Sequence, residues 1–306
     1  MGNFAERLVS VCARRRSHLC VGLDPEPEKI LTLFRSELLR MLESQPLELH
    51  VVTSGENEGK QAPLRLDPSQ LVEESEVVKD LICRLIVSAT APYAAAFKPN
   101  AAFFEFEESG LVEIPKHVHA SQLDHLVIFD GKRGDIGNTS KQYAEAILGR
   151  GGFDAVTVNP LMGRDAVEPF LAWPERGVFL LCLTSNPGAA DFLLEHDLYL
   201  RIAEKAVEWN SRGNIGLVVG ATRPEYAARV REVAPELPLL IPGIGAQGGN
   251  LGEILDAVQA RTNPRFLVNV SRSILFPSTV EETGDPVKAV MLAAQSFRDQ
   301  IEAALR

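Results

Sequence analysis

Short apolar runs recur along the chain, with helix-like segments between them. They cover residues 19–23, 93–97, 126–129, 155–158, 178–183, 215–219, 237–241 and 266–270. Each run is continuous rather than alternating, as in parallel strands buried on both faces. The intervening segments have helical periodicity. Residues 190–209, for example, put Leu193, Leu194, Leu198, Ile202, Ala206 and Trp209 on one face. Eight strand units, each followed by a helix, predict a (β/α)₈ TIM barrel forming a single domain over residues 1–306. Such a barrel needs roughly 250 residues, which leaves room for an insertion. The surplus falls between the first two strands, where 28–42 and 72–88 read as helices. The polar stretch between them, about 44–71, carries Gly55, Gly59, Pro63 and Pro68. Within it, 47–53 alternates like a strand, so a surface hairpin is expected there, without assigned chemistry.

Charge collects where the strands stop. The first run ends at Asp24, the second at Lys98, and the third at Asp130 and Lys132. The fourth ends at Asn159, the fifth at Thr184-Ser185-Asn186 and the eighth at Ser271-Arg272. In a parallel barrel these ends converge on one rim, and active sites are built there. Asp130 and Lys132 are two residues apart, so extended backbone would point both to one side. Asp135, beyond Gly134, need not face the same way. One charged strand end serves capping or solvation as readily as catalysis. Several ends that jointly supply Asp, Lys, Asp, Lys and Arg point to a functional cluster.

The seventh run leads into Gly243-Ile244-Gly245-Ala246-Gln247-Gly248, which formally matches GxGxxG. A dinucleotide site fits poorly. The motif follows the seventh strand rather than the first, too little chain remains for a second half, and the next strand end offers Ser271-Arg272 instead of an acid for a ribose diol. The other reading is a phosphate site. Glycines let backbone amides approach an anion at a helix N-terminus, and Arg272 adds a charge-assisted fork. A glycine-rich turn without a ligand is the plain alternative.

Bulk properties narrow the function further. The chain has 306 residues, 45% hydrophobic and 24% charged, ordinary values for a soluble globular protein. The net charge of −10 argues against nucleic acid or an anionic membrane as the main partner. It leaves room for an anionic small substrate in a local cationic pocket. Cys12, Cys20, Cys83 and Cys182 form no CxxC pair, and buried free thiols in a reducing compartment are expected. No signal peptide is legible, the myristoylation-like start carries Glu6 where that motif wants Ser or Thr, and no apolar stretch approaches ~20 residues. A cytoplasmic protein is expected.

Together these segments resemble the orotidine 5′-phosphate decarboxylase family, from Val21-Gly22-Leu23-Asp24-Pro25 through Asn269-Val270-Ser271-Arg272-Ser273-Ile274. The family's DxKxxDI(x)NT signature is met by Asp130, Lys132, Asp135, Ile136, Asn138 and Thr139, and its Lys-Pro signature by Lys98-Pro99. The wording Lys132-Arg133-Gly134-Asp135-Ile136-Gly137, with Ala102-Phe103-Phe104-Glu105, is closer to the type 2 subfamily. Gly131, where Ala or Leu is common, is a departure.

The resemblance implies decarboxylation of OMP to UMP, the last step of de novo UMP biosynthesis, with neither cofactor nor metal. It implies that Asp24 and Lys98 hold the ribose hydroxyls. Lys98, Asp130, Lys132 and Asp135 would form an alternating array, with Lys132 giving the proton to C6 and Asp130 near the substrate carboxylate. Ser185 would read the pyrimidine edge. Gln247, Arg272 and the glycine-loop amides around Gly245 would bind the 5′-phosphate. Asp135 and Thr139 would reach into a neighbouring site, implying a homodimer. Two alternatives stand beside it. One is a Mg²⁺-dependent sugar-phosphate lyase or synthase of the same barrel superfamily. The other is a catalytically silent nucleotide-binding barrel.

Overall fold

The computed structural model describes residues 2–44, 49–51, 62–64, 75–105, 108–120, 124–245 and 247–306. Its strands are β1 (Leu19–Leu23), β2 (Leu49–Val51), β3 (Ala62–Leu64), β4 (Ala96–Pro99), β5 (Leu126–Arg133), β6 (Ala155–Val158), β7 (Gly177–Leu183), β8 (Ile215–Val219), β9 (Leu239–Pro242) and β10 (Phe266–Val270). Eight of them close a barrel in the order β1-β10-β9-β8-β7-β6-β5-β4, every neighbour parallel. The barrel is the one the apolar runs predict. Strands β2 and β3 pair antiparallel, Leu49 opposite Leu64, within the expected hairpin. The rest of the 44–71 stretch lies outside the described residues, apart from Ser44, which ends the preceding helix.

Alternation along each strand separates two cores. Outward residues such as Leu19, Val21, Val127, Val156 and Val268 pack beneath the surrounding helices. Inward residues such as Cys20, Ala96, Ile128, Ala155, Phe179 and Leu240 fill the barrel together with Phe4, Leu8 and Val11. Those last three belong to an N-terminal helix, Phe4–Arg15, that packs its apolar face against the barrel interior. Phe4 stacks edge-on against Phe179 at 5.7 Å, and Arg7 reaches the buried Asp154 carboxylate at 2.8 Å. All four cysteines are buried free thiols. Burial pushes the Cys20 thiol up to about 12, with Asp130 and Asp24 adding to that against the pull of Lys98.

Several boundaries differ from the sequence pattern by a residue or more, the seventh barrel strand among them at Leu239–Pro242 rather than 237–241, and three differences stand out. The second barrel strand is Ala96–Pro99 rather than 93–97, because the Tyr93 and Ala94 amides donate back to Thr90 O and finish the preceding helix. The third continues through its charged end to Arg133. The 190–209 helix is broken: Ala189–Phe192 and Leu198–Trp209 flank His196 and Asp197, both left-handed at φ 48° and 55°. Arg229 forks onto Asp197 at 2.9 and 3.0 Å and fixes that corner. Among the described residues, no helix is long and apolar enough to cross a membrane.

Candidate active site

The inward ladders turn polar as they approach the rim. Strand β4 presents Ala96 and then Lys98, β5 presents Ile128 and then Asp130, β6 presents Ala155 and then Thr157, and β10 presents Leu267 and then Asn269. Burial inside the barrel thus gives way to a cavity of about 300 Å³ at the carboxyl ends of the strands. Leu181, Val218 and Leu240 supply its apolar wall, and Asp24, Lys98, Asp130, Lys132, Ser185 and Arg272 are among its polar groups.

Asp130 is the hub. Lys98 Nζ donates to its Oδ2 at 2.6 Å, while Lys132 Nζ and Thr157 Oγ1 donate to its Oδ1, each at 2.8 Å. Burial opposes a charge on Asp130, but the Lys98 and Lys132 ammoniums outweigh it and hold the carboxyl well below the usual range. Burial likewise opposes a charge on Lys98, and the Asp130 and Asp24 carboxylates overcome it, raising Lys98 above the ordinary lysine range. The result is a sealed carboxylate and a sealed ammonium with a second ammonium at the open side: the Lys132 side chain is 51% exposed, against 5% for Lys98. Asp130 and Lys132 do converge, though not through simple alternation. The ladder to β6 shifts register between Phe129 and Arg133, and Lys132 is left-handed at φ 45°. Gly131 makes room for that bulge, since a Cβ there would lie 2.2 Å from the Phe129 ring.

On the opposite wall, Ser185 Oγ donates to Gln247 Oε1 at 2.7 Å, joining the loop after β7 to the glycine-rich loop after β9. Thr222 Oγ1 holds Ser185 O at 3.0 Å from behind. Gly245 does not line the cavity. It shapes the loop from φ 80°, where a Cβ would meet Ser273 Oγ at 2.5 Å. Arg272 opens a short helix, Arg272–Leu275, and makes no ion pair among the described residues. Asp24 Oδ1 and Asn269 Oδ1 are buried without hydrogen-bond partners among the described residues, acceptors suited to hydroxyl or amide donors of a ligand.

The cavity therefore collects Asp24, Lys98, Asp130, Lys132, Ser185, Gln247 and Arg272. Asp135 and Thr139 lie outside it. The Asp135 carboxylate accepts from the Ile136 amide at 2.8 Å, and Thr139 is exposed on the following helix, Gly137–Ala144. Sequence reasoning missed Asn100, Thr157 and Asn269, which also line the cavity. Thr157 and Asn269 are lone polar residues within apolar strands, a signal that continuous apolar runs concealed.

A closed parallel barrel with an ammonium–carboxylate array and a cavity at the carboxyl ends of its strands is a TIM barrel built as enzymes of that class are. The sequence matches the model of the orotidine 5′-phosphate decarboxylase / HUMPS family over residues 17–285. An orotidine 5′-phosphate decarboxylase of Roseiflexus castenholzii is 38% identical over 310 residues, covering 99% of either chain. One of Bordetella pertussis is 44% identical over 255 residues, 79% of this chain and 92% of its own. Among solved structures, Leishmania donovani OMP decarboxylase superposes with a TM-score of 0.72 at 34% identity, covering 99% of this chain and 98% of that one. The chain belongs to the orotidine 5′-phosphate decarboxylase / HUMPS family, and its full-length relatives place it among the decarboxylases, which are carboxy-lyases.

Proposed function

We propose that the cavity decarboxylates orotidine 5′-phosphate to UMP and CO₂ with its own side chains alone, as the last step of UMP biosynthesis in the cytoplasm. The observation that carries this reading is Asp130 held between two ammonium groups, one sealed and one open to the cavity. Breaking the C6–carboxylate bond leaves the electron pair on C6, with no adjacent sink in the pyrimidine. A fixed cation beside C6 stabilises that charge, and its N–H then supplies the proton. Lys132 fills this role and Asp130 lies by the departing carboxylate. Asp24 and Lys98 take the ribose hydroxyls, in keeping with the unpartnered Asp24 Oδ1. Ser185 reads the base. Gln247, on the loop that Gly245 shapes, and Arg272, at the start of the short helix after β10, hold the 5′-phosphate. Binding energy from that remote phosphate drives positioning at C6.

A Mg²⁺-dependent reading fits the donors poorly. Both Asp130 oxygens already accept from lysine ammoniums, and Asn159 Oδ1 turns back to the Leu161 amide at 3.1 Å. The functional unit is a homodimer in which Asp135 and Thr139 complete the partner's cavity. Support comes from their position outside their own cavity and from the exposed apolar side chains Ile136, Leu161 and Met162 nearby, 54%, 59% and 50% exposed. The test is turnover of OMP, followed by absorbance, with EDTA present. Conversion to UMP with EDTA present, lost in Lys132→Ala, is the expected result. Turnover abolished by EDTA, or UMP binding without turnover, overturns the proposal.

A further inference from the structure

We infer that Thr157 is a positioning residue for Lys132, an inference that rests on the decarboxylase reading above. Strand β6 pairs Val156 with Phe129 and Val158 with Arg133, so Asp130, Gly131 and Lys132 all face Thr157. That bulge takes the Lys132 amide out of the backbone ladder. It also puts Lys132 at φ 45°, a conformation that a side-chain-bearing residue adopts only when its surroundings impose it. Thr157 Oγ1 supplies the missing partner, accepting the Lys132 N–H at 2.9 Å. The same hydroxyl donates to Asp130 Oδ1 at 2.8 Å.

The direction of this relay is fixed by its ends. A backbone N–H only donates, and a carboxylate kept ionised only accepts. The single hydroxyl hydrogen must therefore point to Asp130, and a lone pair to Lys132. Thr157 is 1% exposed, so its hydroxyl is shielded from bulk water and is committed to these two bonds. One buried hydroxyl thus sets both the backbone from which Lys132 reaches the cavity and one oxygen of the carboxylate that receives its ammonium. Thr157 itself transfers no proton.

The test uses Thr157→Val, which keeps the shape and removes both bonds, and Thr157→Ser, which keeps the hydroxyl. Thr157→Ala is the second deletion should the valine protein not fold. The expected result for Val is a kcat for OMP lowered roughly 10- to 100-fold, with KM and the stoichiometry of UMP binding changed little. Ser should restore kcat to within about threefold. Deuterium exchange at the Lys132 amide should be slow in the wild type and Ser proteins and fast in the Val protein. Full kcat in the Val protein, a change confined to KM, or a Lys132 amide still protected without the hydroxyl overturns the inference. A wild type that leaves OMP unchanged overturns the decarboxylase reading instead, and the exchange measurement still decides whether Thr157 holds Lys132.

Discussion

Lys98 Nζ lies 2.6 Å from Asp130 Oδ2, with the two side chains 5% and 10% exposed. Charges this sealed are costly when left unpaired, because the desolvation has already been incurred. Asp130→Asn leaves the Lys98 and Lys132 ammoniums facing a neutral amide and should lower stability by about 3 kcal/mol. Lys98→Met in the same background removes the buried cation and should recover part of that loss. Urea unfolding of the two single variants and the double variant measures this as a cycle, and strict additivity contradicts it.

The same pair sets the pH range over which the site stays assembled. Folded Asp130 titrates below its unfolded value of ~3.9. Its contribution is therefore present above that pH and lost as the pH falls through the folded value. Folded Lys98 titrates above its unfolded value of ~10.4, so its contribution is present below that pH and lost as the pH rises through the folded value. Between about pH 5 and 9 the stability gap between wild type and Asp130→Asn should be flat, and it should narrow once the pH drops below about 4. Stability curves at a series of pH values give the gap. A gap that widens on acidification reverses the predicted sign.

Asp135 and Thr139 lie outside their own chain's cavity, which makes the dimer proposal measurable by mixing. Lys132→Ala and Asp135→Ala proteins are each expected to be nearly inactive. In a hybrid dimer one site has lost both groups and the other has lost neither. Random reassortment makes half the dimers hybrids, each with one intact site of two, so activity should return to about a quarter of wild type. If mixtures refolded together stay as inactive as their components, Asp135 acts within its own subunit or not at all.

The barrel was legible because outward strand positions are uniformly apolar, as at Val21, Val127, Val156 and Val268. The rim was legible because several strand ends jointly supply Asp24, Lys98, Asp130, Lys132 and Arg272, which capping or solvation of a single end does not explain. Two things escaped. The Phe4–Arg15 helix was not singled out, since its importance lies in Phe4 meeting Phe179 far along the chain. Thr157 is inconspicuous in the sequence because one hydroxyl barely interrupts an apolar run. Its significance depends on a register shift that is visible only once β5 and β6 are paired. The 190–209 pattern failed for a similar reason: the pair that fixes its corner joins Asp197, between the two helical pieces, to Arg229 on the later helix Pro224–Val233.

Arg231 offers a contrasting case, a buried charge away from the cavity. It is 1% exposed, and its guanidinium donates to the carbonyls of Val258, Ala234, Pro235, Leu237 and Arg265, where the chain enters β9 and β10. Burial lowers its pKa to about 10, with Arg265 adding to the effect, so it remains charged at neutral pH. Among the described residues no carboxylate shares this set of bonds, so carbonyls supply the direct contacts to the cation, and a planar fork is needed to reach them all. Arg231→Lys keeps the charge but can reach few of these acceptors, and it should cost about 3 kcal/mol. Arg231→Met leaves the carbonyls unpaired but buries no charge, so it should be no worse than Lys. Because these bonds lie at the amino ends of the strands, both variants should keep the wild-type kcat per folded molecule. Urea midpoints and turnover at a temperature where each variant is fully folded measure the two effects separately. A Lys variant as stable as wild type contradicts the role given to the fork.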